Sequence, residues 1–127
     1  MNILEENDLF VFWEEKGIIC CLYKKPKIDL DIAKKSLETR LRLSKNKPCK
    51  LFLDLRNLGY ISQAAREYSA SDEATQLALA TAVLAPSMIT KLMANFFLTF
   101  NKPKMPFQIF TNKEKAFEWL KSIETGK

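Results

Sequence analysis

The chain has 127 residues, 20 of them basic and 15 acidic, for a net charge of +5, with three cysteines, three glycines and no histidine. That length can bury the core of one domain, residues 1–127, without metal or disulfide staples. The missing histidine removes the commonest general base and metal ligand, and three cysteines without a Cys-x-x-Cys pair frame neither a disulfide scaffold nor a zinc site, so no catalytic residue, metal or cofactor is expected.

Charge is segregated along the chain. Residues 1–23 carry five acidic side chains against Lys16 alone, and residues 24–50 carry ten basic against three acidic. Such a basic segment is either a solvated helix face or an attractor of anionic partners. A nucleic-acid platform interleaves aromatics with its basic groups, and only Tyr23 is near, so nucleic acid is not the expected partner. Within this span Leu9–Trp13 and Ile18–Tyr23 are aromatic and β-branched runs joined by a short turn containing Gly17, which predicts a β-hairpin. On its second strand the adjacent Cys20 and Cys21 face opposite ways, as buried, inert thiols. Pro26 closes the hairpin, and Asp29 or Asp31 caps a helix. Leu30, Ala33, Leu37, Leu41 and Ser44 recur there at spacings of three and four, and the apolar members form its core stripe. Lys34, Glu38, Arg42 and Lys45 line another face, and Asn46-Lys47-Pro48 is the stop signal.

The stretch from Cys49 to Tyr68 is central. Leu51, Phe52, Leu53 and Leu55 form an apolar run interrupted by Asp54, the pattern of a strand covered on both faces. Arg56, Asn57 and Gly59 supply turn chemistry, Ser62 is an N-cap, and Ala64, Ala65, Arg66 and Glu67 favour helix. Asp54 is the one candidate for an active carboxylate; hydrogen bonds to turn amides and a pair with Arg56 are its structural alternative. Asp54-Leu55, Leu58 and Tyr60-Ile61-Ser62-Gln63-Ala64-Ala65 together resemble the central motif of SpoIIAA-like (STAS-like) domains, Asp-Leu-x-x-Leu-x-x-Ile-Asp-Ser-Ser-Gly. In the anti-anti-sigma branch of that family a serine after the second Asp is phosphorylated. Ser62 stands at that Asp position and Gln63 at the serine position, and Ala65 is near the place of the motif glycine. The resemblance therefore implies the fold without the phosphoserine switch.

Farther on, Ser71–Gln76 reads as a polar connector or frayed helix end. Leu77–Ala85 is rich in Ala and Leu and permits helix by propensity, but the space between its neighbours favours a short strand, ended by Pro86. Ser87 caps the next segment. Met88–Phe100 is apolar around most of its circumference, leaving Lys91, Asn95 and Thr99 as a narrow polar strip. As a helix of 13 residues it spans roughly 20 Å, too short to cross a bilayer. It is either buried between the sheet and neighbouring helices, or a dimer contact, a hydrophobic ligand pocket or a lid resting on membrane. Phe107–Phe110 is a strand. Thr111-Asn112-Lys113-Glu114 fits a capping box with Thr111 at the cap. Ala116, Phe117, Leu120 and Ile123 form the stripe of a last amphipathic helix, with Trp119 beside it, and residues 124–127 fray.

The whole predicts an α/β domain: an N-terminal β-hairpin, then alternating helices and strands, in a mixed, largely parallel sheet covered by about four helices. That is also the SpoIIAA-like arrangement. No stretch approaches the ~20 apolar residues of a membrane span. Residues 1–20 lack the basic start and apolar core of a signal peptide, so the expected compartment is the cytoplasm. The resemblance implies two functions. One is a non-catalytic regulatory module acting by protein contact, on a partner or a second copy of itself, through Tyr60, Ser62, Gln63 and Arg66. The other is a small hydrophobic ligand or a membrane surface taken by Met88, Leu92, Met93, Phe96 and Phe97, with Lys91, Lys102 and Lys104 meeting anionic headgroups.

Overall fold

The computed structural model describes residues 2–89 and 104–124. Its first strands are β1 (Asn2–Glu6), β2 (Phe10–Glu15) and β3 (Ile18–Tyr23), antiparallel in that order. Lys16 and Gly17 both adopt positive φ, 54° and 77°, between Glu15 and Ile18, which pair across the hairpin. A two-residue turn with positive φ twice over matches the twist of its strands, and glycine supplies the second position without strain. A two-residue strand β4 (Lys27–Ile28) follows, then helix α1 (Leu30–Leu43), capped by Asp29, whose side chain accepts from the Ile32 amide at 2.9 Å. The central strand is β5 (Cys49–Asp54). After it come β6 (Tyr60–Ile61), which pairs with β4 in parallel, α2 (Gln63–Ser69) and the single turn α3 (Asp72–Thr75). Strand β7 (Ala78–Leu84), residues 87–89 in helical conformation, β8 (Phe107–Phe110) and α4 (Lys113–Ser122) complete the described residues.

The main sheet has the order β1-β2-β3-β5-β7-β8, parallel from β3 to β8. This is the mixed, mostly parallel α/β architecture that the sequence predicts. β7 shows why context outweighs propensity: its Ala-rich sequence lies between β5 and β8, hydrogen-bonded on both sides. Cys20 and Cys21 face opposite layers as expected. The odd-numbered residues of β3, β5 and β7 pack towards α1 and α2, and the even-numbered ones towards α4. Ala78 joins the first group, because the register shifts at the start of β7. On the α4 side Phe52 meets Phe117 with ring centroids 4.8 Å apart, and Lys50 donates from Nζ to the carbonyls of Leu120 and Ile123, closing the end of α4.

Several predictions need correction. β1 and the short β4–β6 ribbon escape the sequence pattern. β1 is a largely exposed, acidic strand without alternation, and two-residue strands carry no periodicity. The acidic and basic segments answer each other: Glu5 pairs with Arg42 at 2.7 Å and Glu6 with Lys24 at 2.8 Å. The polar stretch after α2 forms α3, capped by Ser71, whose hydroxyl accepts from the Ala74 amide. The cap of α4 is Asn112, accepting from the Lys115 amide at 3.0 Å, and not Thr111; an Asn side chain is the stronger cap and shifts the helix start by one residue. Residue 87 lies within the helical stretch rather than before it. On α1 the buried positions are Ala33, Ser36, Leu37, Thr39 and Arg40, so the inward stripe is rotated from the one predicted, with Leu30 and Leu41 at its border.

Candidate functional site

The rotation of α1 brings an unexpected set of residues to the sheet. Ala33 and Ser36 of α1 face Ala78 and Thr81 of β7, and α2 and α3 are too short to fill what remains. Small side chains opposed by small side chains leave room. A cavity of about 130 Å³ lies there, between the sheet and α1–α3. Its wall is mostly carbon, from Phe12, Ile19, Leu37, Leu51, Leu53 and Val83, with Met105 and Phe107 on the β8 side.

Seven polar side chains interrupt that wall; Tyr68, Ser69 and Thr75 donate to Glu73 and to the carbonyls of Ala65 and Ser71, respectively, and the other four are Tyr23, Ser36, Arg40 and Thr81. Ser36 Oγ donates to the Ala33 carbonyl at 3.0 Å, which leaves the Tyr23 hydroxyl to donate to Ser36 at 2.8 Å. Burial pushes the Tyr23 phenol far above its ordinary pKa, so it stays neutral. Arg40 is 4% exposed and donates from Nη1 to the Gln76 carbonyl at 2.7 Å and from Nη2 to the Ala74 carbonyl at 2.9 Å. Among the described residues no carboxylate lies within ion-pair distance of it. Desolvation lowers its pKa, while the neighbouring Cys49 and Tyr23 act in the opposite direction. A guanidinium nonetheless remains charged in proteins, so this is a buried cation held by backbone dipoles. Thr81 is 2% exposed, and its Oγ1 has no hydrogen-bond partner among the described residues.

The strand-to-helix turn, which holds most of the sequence-predicted candidates, is chemically occupied. Asp54 is fully buried; it accepts from the Arg56 amide at 3.1 Å and from the Arg56 Nε and Nη2 at 3.0 and 2.6 Å. Its structural alternative is therefore what the geometry shows. Ser62 caps α2 as predicted, accepting from the Ala65 amide at 3.1 Å. Gln63 is exposed and donates to Glu67, Arg66 donates to the Ile61 carbonyl at 2.6 Å, and half-exposed Tyr60 has Lys27 Nζ 5.8 Å from its ring centroid. These four residues lie within one turn and helix start, and none of them lines the cavity, although Ile61 between them does. Of the apolar segment, Met88 is exposed and its neighbour Ile89 is buried against the larger core. Lys104 pairs with Asp72 at 2.9 Å. Lys91, Leu92, Met93, Phe96, Phe97 and Lys102 lie outside the described residues.

The cysteine thiols are unpromising nucleophiles. Burial pushes Cys20 up to about 12, and Cys21 and Cys49 are also raised by burial, with Arg40 partly offsetting the shift at Cys49. Among the described residues no group of His, Cys, Asp or Glu could hold a metal, and no helix is long and apolar enough to cross a membrane. A shallower cleft of about 290 Å³ lies beside Lys16, Lys50 and Lys121, but Lys50 is already committed to two carbonyls.

Sequence reasoning missed the cavity's polar set. Arg40 stands three residues after Leu37 and seven after Ala33, on the inward face, and its charge disguised it as part of the basic surface. Thr81 is one polar residue in an apolar strand, which carries no signal of its own.

The geometry has a counterpart among solved structures. The crystal structure of an uncharacterized protein from the DUF3478 family, with a SpoIIAA-like fold, from Shewanella loihica PV-4, superimposes with a TM-score of 0.60 at 13% identity, over 94% of each chain. At that identity the likeness concerns the fold, and the fold is SpoIIAA-like. No curated protein matches the sequence. The model of the family described as "Domain of unknown function (DUF7793)" matches residues 12–124, a span that takes in β3 to β8 and the helices on both faces of the sheet, and the chain belongs to that family.

Proposed function

We propose that this chain is a cytoplasmic, non-catalytic module of STAS-like type, a single domain that binds a small, mainly apolar ligand in the cavity between its sheet and α1–α3. The observation that carries this reading is the cavity itself: about 130 Å³ of space walled mostly by carbon inside an otherwise packed layer. Binding pockets share this character, an apolar wall with a few placed polar groups. The size matches engineered apolar cavities of about 150 Å³ that take up benzene. A non-catalytic role is supported by the absence of histidine and by the engagement of Asp54 with Arg56. The test is a titration of the ¹⁵N-labelled protein with benzene as probe. Shift changes centred on residues 33–40 and 81–83 are expected. Unchanged spectra at saturating probe overturn the reading.

A second reading, protein contact through the α2 start, draws on Tyr60, an aromatic 50% exposed next to the turn. Gln63 at the phosphoserine position makes such contact independent of phosphorylation. Arg66 and Ser62 contribute by shaping the turn, since both are engaged with its backbone. Reversing charge at Arg66 would then weaken partner or self-association while leaving the fold intact, and an unaltered interaction profile would count against it.

A further inference from the structure

We infer that the cavity is selective for a small carboxylate whose apolar body is about the size of a benzene ring, with Arg40 and Thr81 receiving the charged end. This rests on the ligand-binding reading above and goes beyond it in naming the chemistry.

Two independent observations converge. Arg40 lines the cavity as a buried cation without a carboxylate in reach among the described residues. A guanidinium has five N–H donors, and here two are committed to the carbonyls of Gln76 and Ala74, with the Cys49 thiol also beside the group. Backbone carbonyls hold the group but do not neutralise it, and uncompensated buried charge is costly. Thr81, on the opposite wall, keeps a hydroxyl that is buried and without a partner among the described residues, in a layer where buried polar groups are almost always paired. An anionic acceptor supplies what both lack: countercharge for the guanidinium and an oxygen for the threonine proton. Arg suits this role because its planar fork meets carboxylate oxygens two at a time. Tyr23 and Ser36 already satisfy each other, so they form wall rather than headgroup contacts. The cavity's volume holds the body of the ligand to one ring or a short chain, and the carbon wall rejects a second charge.

The test uses three probes on the full chain: benzene, benzamide and benzoate, the last two alike in shape but not in charge. Dissociation constants come from amide shift titrations of wild type, Arg40→Met and Thr81→Val. In wild type, benzoate is expected to bind at least tenfold tighter than benzamide. Arg40→Met abolishes that preference, and Thr81→Val weakens benzoate several-fold while leaving benzene unchanged. If benzene and benzamide bind and benzoate binds no better, the carboxylate assignment falls and the apolar-ligand reading stands. If none of the three binds, both fall. Where Arg40→Met does not fold, Thr81→Val decides, and undiminished benzoate affinity in that variant overturns the assignment.

Discussion

The two faces of the sheet are built from the same strands and differ in what they do with them. Towards α4, the strands present Trp13, Cys20, Phe52, Ala80 and Ala82, and the helix answers with Ala116, Phe117 and Leu120. Large meets small, and the rings of Phe52 and Phe117 close the layer. Towards α1–α3, small faces small, a cavity remains, and Arg40 and Thr81 are buried within its wall. One face uses its residues for packing. The other gives up packing for space and polarity, which a stability-only design would avoid. Strand parity is nearly all that separates the two jobs.

The contrast can be broken by substitution. The largest effect is expected from Phe117→Ala, which opens a void in the filled layer and costs about 3–5 kcal/mol in urea unfolding. A loss under about 1 kcal/mol would mean that this layer is loosely packed. Next come two equal enlargements on β7. Ala82→Val, on the filled face, costs about 1–3 kcal/mol. Ala78→Val, on the cavity wall, leaves stability unchanged or raises it by about 0.5 kcal/mol. Equal losses at both positions would show that the cavity is not usable room. Thr81→Val removes the unpartnered hydroxyl and is expected to raise stability by about 1 kcal/mol; destabilisation of that size would mean that Oγ1 has a partner after all.

The smallest effect concerns the rim of the filled face. The Trp13 indole N–H, donating at 3.1 Å, and then Lys113, at 3.4 Å, hold the Glu15 carboxyl below its usual value of 4.5. A carboxylate whose pKa is lowered on folding stabilises the fold above its unfolded pKa, and that contribution fades as pH falls through the lowered value. Stability measured from pH 6 down through 4.5 and below should therefore decline less steeply in Glu15→Gln than in wild type. Parallel curves would show that the contact is not felt in solution, as is common for exposed pairs.

How much of this was legible from the sequence follows the same division. Apolar runs such as Leu51–Leu55, caps such as Ser62 and the stripe Ala116, Phe117 and Leu120 announce themselves, because periodicity and capping are local properties. The strand of Ala78–Leu84 was legible only through its neighbours. The cavity was not legible, because a void is a relation between residues distant in sequence: Ala33 and Ser36 on one side, Ala78 and Thr81 on the other. Arg40 illustrates the limit most sharply. Its spacing from Ala33 and Leu37 places it inward, yet nothing local says that carbonyls 34 and 36 residues away will receive a buried charge. By residue type Asp29 and Asp31 serve equally as caps, and only geometry selects Asp29.

β1 has one more consequence. It occupies the outer side of β2, so the aromatic strand Phe10–Glu15 is not a sheet margin. Its own free margin carries Glu5 and Glu6, and its pairing is interrupted between Ile3 and Glu5. A second copy adding on there would have to cover paired, hydrated charged side chains and meet a broken ladder, two features that discourage strands from annealing side by side into fibrils. Glu5 and Glu6, held in place by Arg42 and Lys24, thus mark this sheet edge as one that discourages edge-to-edge pairing.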